Sequence, residues 1–464
     1  MLKFADKLVP GIAALAGAVA LVLWLRGDPA AGFQPRIEEN RPSAVPRTGA
    51  AVFGKLVKSD GTASDIPGFW PGFRGPNGDN ICPESMASSL SREWPEAGPT
   101  PLWSAAMGEG YAGAAVSGGC VYVLDYDQEA RADALRCLSL ADGREIWRYT
   151  YEVEVRRNHG MSRTMPAVAG GLVVGLGPKC HVTCLDASSG MFKWGIDLVR
   201  EYGTEVPQWY AGQCPLVDRG RVILAPAGPD VLLMAVDLAT GRAEWKSPNP
   251  LKWRMTHSSV VPMELAGRRM YVYCGSGGVA GVSADDGSIL WSTTEWKIGV
   301  ATVPSPVVVG GGRIFLSGGY NAGSMMLQVK EEAGAFSAEV LFRLKPTVFG
   351  SDQQTPIFYG GHIYGVIPGG QLVCLSLDGR QVWASGHEHK FGLGPYLIAG
   401  GMIYVMNDSG VLTLAEASPE GYRQLARAKV LDGGDSWGPM ALAGGRLIVR
   451  DLTRMVCLDV RSGK

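Results

Sequence analysis

The side chains best suited to binding a ligand sit in short segments that each run into a proline. N-H-G-M-S-R-T-M-P carries His159 and Arg163 toward Pro166, and Q-W-Y-A-G-Q-C-P carries Trp209, Tyr210 and Gln213 toward Pro215. R-M-T-H-S-S-V-V-P carries Arg254 and His257, G-S-D-Q-Q-T-P carries Gln353 and Gln354, and G-D-S-W-G-P carries Trp437. Cations, amides and aromatic rings brought together suit a polar or anionic small ligand or a peptide. The alternative is that these groups cap strand ends and bond to solvent.

Other chemistries find less support. Calcium takes roughly six to eight oxygen ligands, and the main acids in these segments are Asp352 and Asp435. Cys180 and Cys184 flank His181, but zinc needs two further ligands at matching spacing. His387-Glu388-His389 reads as a solvated loop. No G-x-S-x-G, H-E-x-x-H or phosphate-loop pattern occurs. Neither a metal site nor a catalytic residue is expected.

Two repeated phrases reveal the elements that must position these residues. The first is a strand, a small turn and a strand bearing tryptophan. It runs Cys137–Trp147, Cys184–Trp194, Ala235–Trp245, Gly281–Trp291 and, one residue shorter, Cys374–Trp383. The second is an apolar strand, a Gly-rich turn and another apolar strand, with copies at Ala115, Ala167, Leu216, Met263, Val307, Ile357, Leu397 and Ala441. Short strands joined by two-residue turns are hairpins. A spacing of about 40–50 residues is that of four-stranded propeller blades. The chain is therefore expected to be all-β, an eight-bladed propeller of four-stranded antiparallel blades.

The copy at Cys457, C-L-D-V-R-S-G-K, has no tryptophan, whereas Pro101-Leu102-Trp103-Ser104 has one and no partner in its own blade. Trp103 is expected to complete the eighth blade, closing the ring and removing its exposed edges. Trp103, Trp147, Trp194, Trp245, Trp291 and Trp383 are read as wedges between blades. Cys137, Cys184, Cys374 and Cys457 share one phase of the repeat, which marks them as small buried hydrophobes. Because both kinds of tight turn lie on one face, the proline-ended segments line the channel mouth on the other, where loops carry function on a rigid scaffold.

The A-x-D-x-x-T-G-x-x-x-W pattern at Ala235–Trp245 resembles the repeat of the pyrroloquinoline-quinone-like (PQQ-like) β-propeller family, over about residues 101–464. F-R-G-P-N-G-D at Phe73–Asp79 is similar to the signature of a bacterial envelope branch. The resemblance takes in quinoprotein dehydrogenases and the propeller lipoprotein of outer-membrane barrel assembly. It implies the fold but not an activity. The dehydrogenases carry an adjacent cysteine pair and a calcium ion, and this chain has no adjacent cysteine pair. No cofactor is expected, with PQQ and calcium as the alternative, in an alcohol or sugar dehydrogenase.

The chain has 464 residues, 64 of them glycine, and a net charge of −1. That balance argues against a nucleic-acid surface. Leu8–Leu25 is apolar apart from Pro10 and Gly11, and at about 27 Å as a helix it approaches a bilayer's hydrocarbon thickness. It reads as an uncleaved anchor, the alternative being a cleaved signal. The expected layout is an anchor over 1–26, a Pro/Gly/Ala-rich tether over 27–67 and a turn-rich segment over 68–100 packing on a propeller over 101–464. The expected setting is the inner membrane with a monomeric propeller in the periplasm, binding an envelope protein or a polar ligand.

Overall fold

The computed structural model describes residue 15, residues 52–87 and residues 89–462. The expected anchor over Leu8–Leu25 therefore lies outside the described residues save for that one position. Among the described residues no helix is long and apolar enough to cross a membrane.

Eight antiparallel sheets form the blades of a propeller, each with four principal strands. The first blade runs Ala114–Ser117, Cys120–Asp127, Ala132–Ser139 and Glu145–Glu152 from channel to rim. Its first hairpin turns at Gly118 and Gly119, with φ of 57° and 71°. Two consecutive left-handed residues suit the turn whose twist matches paired strands, and glycine adopts them without a Cβ clash.

The eighth blade closes as the sequence predicts. Thr100–Ala106 pairs antiparallel with Arg454–Asp459, placing Trp103 opposite Cys457. The same register puts Trp147 opposite Cys137, Trp194 opposite Cys184, Trp245 opposite Ala235, Trp291 opposite Gly281 and Trp383 opposite Cys374. The small residue recurs because the indole lies across it: a Cβ at Gly281 would stand 2.1 Å from Trp291 Nε1. All nine cysteines are buried free thiols.

Five of the six indole N–H groups then reach across to the next blade. Trp103 donates to the Leu140 carbonyl (3.0 Å), Trp147 to Ala187 (3.1 Å), Trp194 to Leu238 (2.9 Å), Trp245 to Ala284 (3.1 Å) and Trp383 to Ser418 (2.8 Å). Trp291 departs from the pattern and points its N–H at the Met270 sulfur, 3.2 Å away. The neighbouring blade explains this. Its outer hairpin, Gly323–Glu332 with Ala335–Leu344, has ten-residue strands, so its turn lies beyond the position where the others offer a carbonyl.

The expected tether is different at its C-terminal end. Lys55–Lys58 adds a fifth strand to the rim of the first blade, pairing Lys55 with Thr150 and Lys58 with Trp147. Val52 is fully buried, and its carbonyl accepts the Tyr149 hydroxyl at 2.8 Å. A repeat-based reading misses this strand because it belongs to no repeat.

The turn-rich segment enters the channel. Trp70 exchanges backbone hydrogen bonds with Val116 (2.8 Å each way), and the Pro71 carbonyl accepts from Val168 N–H (2.7 Å). Farther along, Ile81–Cys82 runs parallel to the inner strand Tyr396–Ala399 of the seventh blade. The segment thus runs from the first two blades to the seventh. Gly75 has a φ of 79°, and a Cβ there would stand 2.9 Å from the fully buried Trp70 ring.

Candidate functional site at the channel mouth

A cavity of about 370 Å³ opens where the proline-ended segments converge, with Phe73 of the crossing segment in its lining. Seven of the ten sequence-predicted residues line it: His159, Arg163, Trp209, His257, Gln353, Gln354 and Trp437. The other three do not. Tyr210 is buried, with its hydroxyl donating to the Arg156 carbonyl at 2.6 Å. Gln213 is fully buried and pairs its amide with both backbone groups of Ala225. Arg254 is exposed and ion-paired with Glu205 at 3.3 Å. For Gln213 the strand-capping alternative therefore holds.

Arg163 is the cation of the lining. Its Nη2 donates to the carbonyls of Asn158 (2.6 Å), His159 (3.1 Å) and Gly160 (3.3 Å), which fixes the side chain against its own loop. Its Nε is buried without a partner. The guanidinium carbon lies 5.3 Å from the centre of the Tyr111 ring, within cation–π range. Burial lowers the Arg163 pKa, but a guanidinium remains charged at working pH. Burial, and then the charge of Arg163, push the His257 pKa down to about 4. His257 is thus a neutral imidazole at pH 7.

One wall is a pre-set aromatic pair. The Tyr111 and Trp437 rings are 5.2 Å apart and inclined at 31°. Trp437 Nε1 donates to Asp408 (2.7 Å), and the Tyr111 hydroxyl donates to Asp435 (3.3 Å). Burial and the nearby Asp435 raise the Tyr111 pKa to about 12, so the phenol keeps its proton. The Trp209 and His257 rings form a second aromatic contact at 6.3 Å. Gln354 donates to the carbonyls of Leu393 (3.3 Å) and Trp437 (3.1 Å), joining two blade ends.

Tyr111, Phe73, Tyr320 and Leu393 are lining residues that the sequence reading missed. Tyr111 had a usable signal: it lies in the segment before the first blade, equivalent to the proline-ended ones. Phe73 had none in the repeat, since its segment lies outside it.

A quinone cofactor bridged to calcium needs a carboxylate cage, and no carboxylate is among the residues lining the cavity. Asp408 and Asp435 stand behind the wall, accepting from Trp437 and Tyr111. Among the described residues no group of three or more His, Cys, Asp or Glu could hold a metal ion. Cys214 lines the cavity with its sulfur accepting from the Met165 N–H, and it has no adjacent cysteine. These residues do not fit the group.

A family model described as "Outer membrane protein assembly factor BamB" (PQQ_2) matches residues 95–194 and 131–378. No curated protein matches the chain. Among solved structures, BamB from Moraxella catarrhalis superposes with a TM-score of 0.53 at 15% identity, covering 78% of this chain and 99% of that one. The computationally designed Ika8 protein gives a TM-score of 0.50 at 10% identity, covering 77% and 99%. A europium-containing methanol dehydrogenase gives 0.45 at 13% identity, covering 84% and 91%. At these identities the likeness speaks for the fold alone.

Proposed function

The chain belongs to the PQQ_2 family, described as that of the outer membrane protein assembly factor BamB, and on this premise we propose a non-catalytic propeller of the cell envelope that binds or scaffolds a protein or polar small-molecule ligand at its channel mouth. The observation that carries the reading is the convergence of an arginine, glutamines and aromatic rings from separate blade ends on one cavity without a carboxylate in its lining. Such a cavity can hold and orient a ligand. Among the described residues, its lining has no carboxylate to serve the calcium of a quinoprotein dehydrogenase. The propeller stands in the periplasm, with Leu8–Leu25 as its membrane anchor, on the strength of that run's length and hydrophobicity.

Incubation of the full chain with PQQ and calcium, followed by dye-linked oxidation of an alcohol and sugar panel, should give no turnover above the protein-free control. Turnover that depends on both additions would establish the dehydrogenase reading instead. In a bacterial host, cross-linking in the envelope should capture the same protein partner repeatedly through mouth residues. Capture unaffected by blocking the mouth would move the binding surface elsewhere.

A further inference from the structure

The cavity holds a charge without a counter-ion. Arg163 is tied through Nη2 to the carbonyls of residues 158–160, yet its Nε is buried and unpartnered. A buried charge is costly unless paired, and carbonyl oxygens solvate a guanidinium without neutralising it. Of the carboxylates close to the mouth, Asp408 accepts from Trp437 and Asp435 from Tyr111. Neither forms an ion pair with Arg163. Nε is walled in by protein, but Nη1 makes no hydrogen bond among the described residues and Arg163 lines the cavity; a guanidinium N–H on a carboxylate is a charge-assisted hydrogen bond, one of the strong ones.

Beside the cation stands the inclined pair of Tyr111 and Trp437, packed on each other, whose hydrogen-bonded edges resist rotation. Phe73 adds an apolar surface from the crossing segment. Aromatic side chains held in this way favour an offset-stacked or edge-on ring. We infer that the cavity takes a planar aromatic ring bearing one carboxylate, with the carboxylate on Arg163 and the ring against the Tyr111–Trp437 wall. A single carboxylate matches the single cationic side chain among the described lining residues. His257 adds no second charge at neutral pH, and the Gln353 amide is left for a neutral polar substituent. The inference rests on the binding reading above and names the ligand class for that site.

Calorimetric titration of the full chain at pH 7.5 with 2-naphthoate and with the neutral 2-naphthamide provides the test. The acid should bind at least about tenfold more tightly than the amide, a difference of about 1.4 kcal/mol. Arg163→Gln should abolish that preference and Arg163→Lys should keep part of it. Thermal melts identify a variant that fails to fold; the acid-to-amide comparison in the unaltered chain then decides alone. Equal binding of acid and amide, or a preference surviving in Arg163→Gln, overturns this inference while leaving a ligand cavity in place. Binding of neither ring overturns the small-molecule arm of the binding reading as well.

Discussion

His257 couples the mouth to the stability of the fold. Its pKa falls from 6.5 to about 4, chiefly through burial and then through Arg163. Between those values the unfolded chain takes up a proton that the folded chain refuses, so stability rises with pH there. The contribution is fully favourable above about pH 6.5 and is lost as pH falls toward about 4. Asp133 acts in the opposite sense: burial raises its pKa from 3.8 to about 7, which favours the folded state on acidification. A comparison of variants separates the two. His257→Gln should gain melting temperature relative to the unaltered chain as pH drops from 7.5 to 4.5, and parallel melting curves across that range would refute the shift. The residue scale is also where sequence reading reaches its limit. The proline-ended segments place Gln213 and His257 in equivalent loops, but the repeat does not specify where a side chain points. Gln213 turns into the sheet to pair with Ala225, while His257 faces the cavity.

The blade-docking tryptophan was legible in its spacing, and its partner was not. The sequence places a small residue and an indole in each outer hairpin; which carbonyl the N–H finds depends on the length of the neighbouring hairpin. Trp245 reaches the Ala284 carbonyl, whereas the ten-residue strands of the fifth blade leave Trp291 with the Met270 sulfur. Removing one partner of a buried hydrogen bond costs about 1–3 kcal/mol, because the other group is left unsatisfied. Trp245→Phe should therefore destabilise the protein by an amount in that range beyond the loss of ring area. Trp291→Phe should cost about 1 kcal/mol or less beyond the common loss of ring area, since a thioether is a weak acceptor. Urea unfolding of both variants measures the difference; equal losses would mean that packing alone, and not the N–H, decides the docking. The strand Lys55–Lys58 belongs to the same scale. It is absent from any repeat, and it is held by the edge it covers and by the Tyr149 hydroxyl, which bonds Val52 and Gly54 just ahead of it.

At the scale of the molecule, the ring is closed twice, once at the rim and once across the channel. Thr100–Ala106 supplies the outer strand of the last blade. The segment around Phe73–Asp79 ties the inner edges of the first two blades to that of the seventh, and it contributes Phe73 to the mouth cavity. Closure at the rim followed from counting repeats, whereas the crossing segment gave only a dense cluster of turns. Arg74 explains why it stays in place. Buried, with its pKa lowered to about 10 by that burial, it donates to the Pro356 carbonyl at 2.8 Å and to the Asp79 carbonyl of its own segment at 3.2 Å. It therefore links the segment to the start of the sixth blade. Arg74→Met keeps the apolar stem and removes both bonds. The amides that donate into the segment then report its release: Val116 to Trp70, Val168 to Pro71 and Ile398 to Asn80. Their hydrogen exchange should quicken at least about tenfold, about 1.4 kcal/mol of lost local stability. Val236 and Val282, which sit in the sheets of blades that the segment does not bond, should keep their rates. If all five amides quicken together, the segment is part of the ring's global cooperativity rather than a separately released bridge. If none does, the Trp70 and Ile81 pairings hold it without the arginine.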